Sequence, residues 1–215
     1  MKNNLKIDGR VKRSKKIRDD VHQKLILSAI KIIEDDNGKN GVNISAVQLS
    51  KLSGVSTVTI YSHFPNLQVD LSLSILNYLL DLALHHYDVN LMNNMREKDK
   101  LNLLYKGLGY ANTKFPFAGS QVYGLLMVGN IFNDNFKNHE FVKIRNNIIQ
   151  NIFKQENLKI SKAEFIRNLS IYVNGTFHTA ISNIDKDKEG EKKFLNSSWS
   201  KVYENSSKLN MFDTS

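Results

Sequence analysis

The chain is predicted to be all-α, with a small N-terminal helical domain followed by a larger helical one. Three observations carry this reading. Apolar residues recur at helical spacing along most of the 215 residues. No long run alternates apolar and polar residues with the period of a strand. Only two prolines interrupt the chain, Pro65 and Pro116.

The elements follow in order. Residues 19 to 36 carry Val21, Leu25, Ile26, Ala29, Ile30, Ile32 and Ile33, a broad apolar stripe that predicts the first helix. Gly38 and Gly41 end it in a loop. Ser45 stands where it can cap a second helix over about 46–53, and Ser56 can cap a third that runs to about Phe64. Gly54-Val55-Ser56 supplies the turn between them, and Pro65 stops the third helix. A long fourth helix is expected from residue 66 to about 92, with Leu71, Ile75, Tyr78, Leu79, Leu82 and His86 along it. Further amphipathic helices are expected at about 97–112, 118–134, 137–156, 161–184 and 190–208. The Gly and Pro residues between 107 and 119 predict a kink or break, and Asp185 to Lys193 a charged loop. The expected division is a basic flexible arm over 1–18, a compact helical domain over 19–65 and a larger helical domain over 66–215.

Composition narrows the class. The chain has no Cys, which excludes disulfides, thiolate nucleophiles and Cys-containing zinc sites. The polar, basic N-terminus lacks the apolar core of a signal peptide, and no apolar run is read as long enough to span a bilayer. A cytoplasmic protein with no membrane partner is expected. Net charge is +9, and residues 1 to 18 hold +7 of it through Lys2, Lys6, Arg10, Lys12, Arg13, Lys15, Lys16 and Arg18 against Asp8. Such a stretch is either a solubilising tail or an arm that tracks a polyanion.

The stretch GVSTVTIYSHFPN, residues 54 to 66, carries the functional signal. Two short helices joined by a three-residue turn containing Gly form the pattern of a helix-turn-helix. With Ile60 and Phe64 turned inward, the other face shows Ser56, Thr57, Val58, Thr59, Ser62 and the polar ends of Tyr61 and His63. That face is short, small and mostly uncharged, so it can enter a major groove without colliding with base edges. An ordinary packed helical corner would match the pattern as well.

The run SAVQLSKLSGVSTVTIYSHFPNL, residues 45 to 67, resembles the DNA-binding signature of the TetR (tetracycline-repressor) family. Gly54, Val55, Ser56, Thr59, Tyr61, His63 and Phe64 match that signature identically, and Ser45, Leu49, Ser50, Ser53 and Ile60 match conservatively. ILSAIKIIEDDNG, residues 26 to 38, is similar to the family's first helix. The resemblance implies a homodimer that binds double-stranded DNA with two helix-turn-helix units in successive major grooves. Tyr61 and His63 would meet phosphates, while Ser56, Thr57, Val58, Thr59 and Ser62 would face the groove and Ser45 would lie beside it. Lys15, Lys16 and Arg18, just ahead of the first helix, would reach the adjacent minor groove or backbone. The chain departs from the family at Leu67, where a phosphate-binding Lys is usual.

The same resemblance implies that the larger domain dimerises and holds an inducer. Phe165, Leu169, Tyr172 and Phe177 in one helix, with Trp199 and Val202 in the last, form the expected pairing face. An unknown small apolar or aromatic ligand would meet Tyr105, Tyr110, Phe117, Tyr123 and Met127, with His178 as a polar contact. The same residues would serve equally as core. No cofactor and no metal are expected. Gly119 to Gly124 has the spacing of a phosphate-binding loop, but Leu125 and Leu126 replace its Lys and Ser/Thr. No Gly-x-Ser-x-Gly elbow and no paired metal-binding His residues occur, so catalysis is not expected. The expected function is a ligand-released repressor acting on a pseudo-palindromic operator. The alternatives are control by a protein partner, activation rather than repression, or a helical binding module that no longer reads DNA.

Overall fold

Capping chemistry sets the ends of the helices near the N-terminus. In the computed structural model, which describes residues 9–85, 91–128, 138–155 and 161–166, regular structure is helical throughout. α1 spans Gly9–Asp35, α2 Ala46–Ser53, α3 Thr57–His63 and α4 Leu67–Leu84. A 3₁₀ turn at Leu91–Asn94 precedes α5, Glu97–Lys114, which is followed by α6, Pro116–Val128, and α7, Glu140–Gln155. Residues 162–166 are helical as well.

α1 begins well ahead of the expected residue 19, so Lys12 to Arg18 are helical rather than a flexible arm. Lys and Arg are good helix formers, and no Gly or Pro separates Arg10 from the apolar stripe. The helix closes where Asn37 and Gly38 take positive φ, 56° and 69°, and the Gly38 amide reaches back to the Ile33 carbonyl at 2.8 Å. α4 ends at Leu84, short of the expected 92, where the sequence turns to His, Tyr, Asp, Val and Asn, all weak helix formers. The expected break between 107 and 119 falls at Phe115, with Pro116 opening α6 at a position where its missing N–H costs nothing.

The chain divides into two compact units between Ser74 and Ile75, inside α4 rather than after residue 65. In the first unit, Leu25, Ile30 and Ile33 of α1 are buried, as are Ile44, Leu49 of α2, Ile60 of α3, Phe64, and Leu71 of α4. The Gln68 side-chain amide donates to the Ile44 carbonyl at 3.0 Å and ties the start of α4 to the segment before α2. In the second unit, Ile75, Leu76, Leu79 and Leu80 of α4 are buried, with Leu101, Leu104 and Leu108 of α5 and Ile148, Ile149 and Ile152 of α7. Gly107 lets α5 lie directly on the backbone of α4, since a Cβ there would collide with the Ala83 carbonyl. His139 accepts the Phe141 amide on Nδ1 and approaches the Asp81 carboxylate at 3.3 Å through Nε2.

α4 corrects the expectation that no apolar run reaches membrane length. Its 18 residues, with a mean hydropathy of 1.3, make it the helix among the described residues that is long and apolar enough to cross a bilayer. Leu71, Ser72, Ile75, Leu76, Leu79, Leu80 and Ala83 are nonetheless buried against protein, as in the core helix of a globular domain.

Candidate functional site

The site is built on α2 and α3. Ser45 caps α2 reciprocally: its hydroxyl accepts the Gln48 amide at 3.2 Å, and the Gln48 side chain accepts the Ser45 amide at 2.9 Å. Gly54 ends α2 with φ 68°, a left-handed conformation costly for any residue with a Cβ, and its amide donates to the Ser50 carbonyl at 2.8 Å. The turn is completed by Val55, whose amide donates to the Ser53 hydroxyl at 3.2 Å. Ser56 then caps α3 by accepting the Thr59 amide at 3.1 Å.

These caps fix which side of α3 looks outward. Ile60 and Phe64 are fully buried, whereas Val58 is 80% and Tyr61 52% exposed. Ser56 and Ser62 are exposed, and Thr57, Thr59 and His63 are half-buried. Several hydroxyls are already engaged locally. Thr59 Oγ1 lies 2.8 Å from Ser56 Oγ, and the Ser62 hydroxyl donates to the Thr59 carbonyl at 2.7 Å. Each oxygen keeps a lone pair for a further donor. The face therefore offers acceptors, a phenol and one apolar tip, and no formal charge. α2 adds exposed Val47 and Leu52.

Charge comes from α1. Lys15, Lys16 and Arg18 are all exposed. Arg18 also lines an open groove of about 420 Å³ with Ser14, Ile17 and Val21 on one side and Thr59, Ser62 and His63 of α3 on the other. His22, one helical turn after Arg18, stacks obliquely on His63 with ring centroids 5.5 Å apart and on Phe64 at 5.0 Å. Burial holds His22 below the ordinary histidine range, and His63 and Arg18 push it the same way while Asp19 opposes. His63 is likewise lowered, first by burial and then by Arg18. His22 was not among the residues expected from sequence. The signal was available, because Arg18 and His22 are four apart on one helix and so share a face.

At the fourth helix, Leu67 is buried at 8% exposure, and the Asp70 carboxylate accepts the Asn66 amide at 2.8 Å. Leu67 is thus taken into the core, and a side-chain anion occupies the adjoining helix end.

The expected ligand residues of the second unit lie in different settings. Tyr105 bonds Arg145 of α7 through its hydroxyl, and burial raises its phenol while Arg145 acts in the opposite sense. Phe117 is half-buried and Tyr110 is 41% exposed, so Tyr110 lies at the surface rather than in an apolar pocket. Tyr123 and Met127 fall on α6. Asn112, which no sequence pattern singled out, is buried at the α5–α6 corner, its amide donating to the Leu108 carbonyl at 2.7 Å. Phe165, expected on the pairing face, is instead buried in its own chain against Phe153, the rings edge-on at 5.5 Å. Its bulk is used to close the second core, which leaves it no surface for a partner. Leu169, Tyr172, Phe177, His178, Trp199 and Val202 lie outside the described residues.

Comparison with protein-family models and with curated proteins finds no match.

Proposed function

We propose that this chain is a dimeric one-component transcriptional regulator of the TetR type, a repressor that binds a pseudo-palindromic operator and is released by a small apolar or aromatic ligand. In this reading residues 46–63 are a helix-turn-helix, α3 is the reading helix, and the second unit carries dimerisation and ligand response. The observation that carries it is the division of α3. Ile60 and Phe64 are wholly buried, while Val58 and Tyr61 stand out among small hydroxyl residues. A surface helix kept for packing is also polar on its outer face, but exposed Val58 and Tyr61 among small uncharged residues are what distinguish this one. A reading helix needs such a face, because small side chains reach base edges and Val58 can meet a thymine methyl. The basic run on α1 supplies the phosphate attraction that α3 lacks. A ligand need contribute only about 1–3 kcal/mol of coupling to change operator affinity several-fold to a hundred-fold.

One observation favours a second reading, a helical binding module that no longer reads DNA. Leu67 is buried, and Asp70 occupies the helix start where the resemblance calls for a cation. Fluorescence anisotropy with duplex DNA at about 150 mM salt separates the two. The first reading expects binding that Thr57→Ala and Tyr61→Phe weaken without unfolding the chain. The second expects no binding from either wild type or variants.

A further inference from the structure

We infer that Arg18, His22 and His63 form a proton-linked site for a phosphate group at the seam of α1 and α3. The inference rests on the DNA-binding reading and deepens it, because the phosphodiester of duplex DNA is the natural occupant. Free phosphate carries the same chemistry.

The geometry is that of a cradle. The two imidazoles lie 5.5 Å apart with their planes 31° from parallel, and Phe64, fully buried, backs His22 at 5.0 Å. Arg18 is one turn away on the same face of α1. The open groove beside them, about 420 Å³, is lined by Arg18 and His63 together with the hydroxyl residues Ser14, Thr59 and Ser62. The Arg18 guanidinium, the His63 imidazole and the Ser14 hydroxyl on this concavity are donors that suit phosphate oxygens, and the His22 ring stacks on His63 beside it.

The electrostatics tie the site to a proton. In the unliganded chain burial disfavours the imidazolium on both rings, His63 opposes a cation on His22, and Arg18 opposes one on either. Asp19 on α1 is the group acting in the other direction, on His22. α2 has Lys51 as its charged side chain, exposed, and Asp70 at the start of α4 is bonded to the Asn66 amide. An anion in the groove removes the penalty imposed by Arg18 and by the second ring, so it draws a proton onto the pair. By linkage, one proton taken up on binding tightens affinity by up to about tenfold for each unit that pH falls.

The test is a histidine NMR titration of the full chain alone, with a random-sequence duplex, and with inorganic phosphate at matched ionic strength. His22→Gln and His63→Gln assign the resonances, and anisotropy reads duplex affinity in parallel. The expected result is that both midpoints lie below the ordinary histidine value in the unliganded chain and rise with duplex. Duplex affinity should tighten between pH 7 and 6, and His22→Gln should flatten that slope. A rise with phosphate in a chain that binds no duplex supports the anion site, assigns it to free phosphate and sinks the DNA reading. Duplex binding with unmoved midpoints overturns the site and leaves the DNA reading standing. No binding of duplex and no response to phosphate overturns both.

Discussion

The hydroxyl of Ser56 accepts the Thr59 amide at 3.1 Å and lies 2.8 Å from the Thr59 hydroxyl, so one small residue both starts α3 and orders its outward face. Two substitutions separate these roles. Ser56→Ala removes the cap and is expected to cost about 1 kcal/mol of stability. Ser56→Asp keeps a capping oxygen and favours the helix dipole, so its urea midpoint should stay near that of wild type. It also sets a carboxylate where the proposed function brings a phosphate, so its duplex affinity should fall well below that of wild type. Urea unfolding and anisotropy on both variants check this.

Gly54 and Gly107 are each needed for a different reason. At Gly54 nothing lies near the missing Cβ, and the cost of Gly54→Ala is the left-handed backbone alone, about 1–2 kcal/mol. At Gly107 the backbone is helical, and Ala would gain about 1 kcal/mol of helix propensity. The collision with the Ala83 carbonyl reverses that sign, and a net loss is expected because neither backbone can yield cheaply. Thermal unfolding of Gly107→Ala that matched or exceeded wild type would remove the close approach of α4 and α5.

The boundaries of α2 and α3 were legible because they rest on local chemistry. Ser45, Gly54 and Ser56 act within three or four residues of their own positions. The start of α1 was not, because apolar periodicity begins only at Val21, while Lys12 to Arg18 are helical through propensity alone. The outward residues of α3 could be read from Ile60 and Phe64 by helical spacing. Helical spacing puts His22 on the face of Arg18, but that this face meets His63 and Phe64 follows from tertiary packing, which no local pattern encodes. Tyr105 likewise looked like a ligand contact because its partner, Arg145, is distant in sequence. Gly107 looked like a helix breaker because its packing partner, Ala83, lies on another helix.

The basic run on α1 predicts a salt effect. Replacing Lys15, Lys16 and Arg18 together by Gln should weaken duplex binding at low salt. The slope of log affinity against log salt should fall by about 0.9 for each phosphate that is no longer neutralised. The helical setting of these residues means that circular dichroism should hardly change, since Gln is also a good helix former. An unchanged slope would assign the run to solubility.

Acid should weaken the fold at the same site. His22 and His63 sit below the ordinary histidine value when folded, through burial first, and recover it when unfolded. Between the two values the unfolded chain binds more protons. The stability from keeping them neutral is therefore complete above about pH 6.5 and is lost as pH falls toward the folded values. Urea midpoints at pH 7.5 and 5.5 should show a smaller acid loss for His22→Gln than for wild type. An equal loss would mean that His22 contributes nothing to it.

The most direct test of the central claim is selection of binding sites from random-sequence duplex DNA by the full chain at about 150 mM salt, where non-specific attraction is weakened. The account predicts recovery of a pseudo-palindromic motif, with half-sites spaced for two copies of α3 in successive major grooves. A folded, dimeric protein that enriches no motif would contradict it, and α3 would then be a surface for something other than DNA.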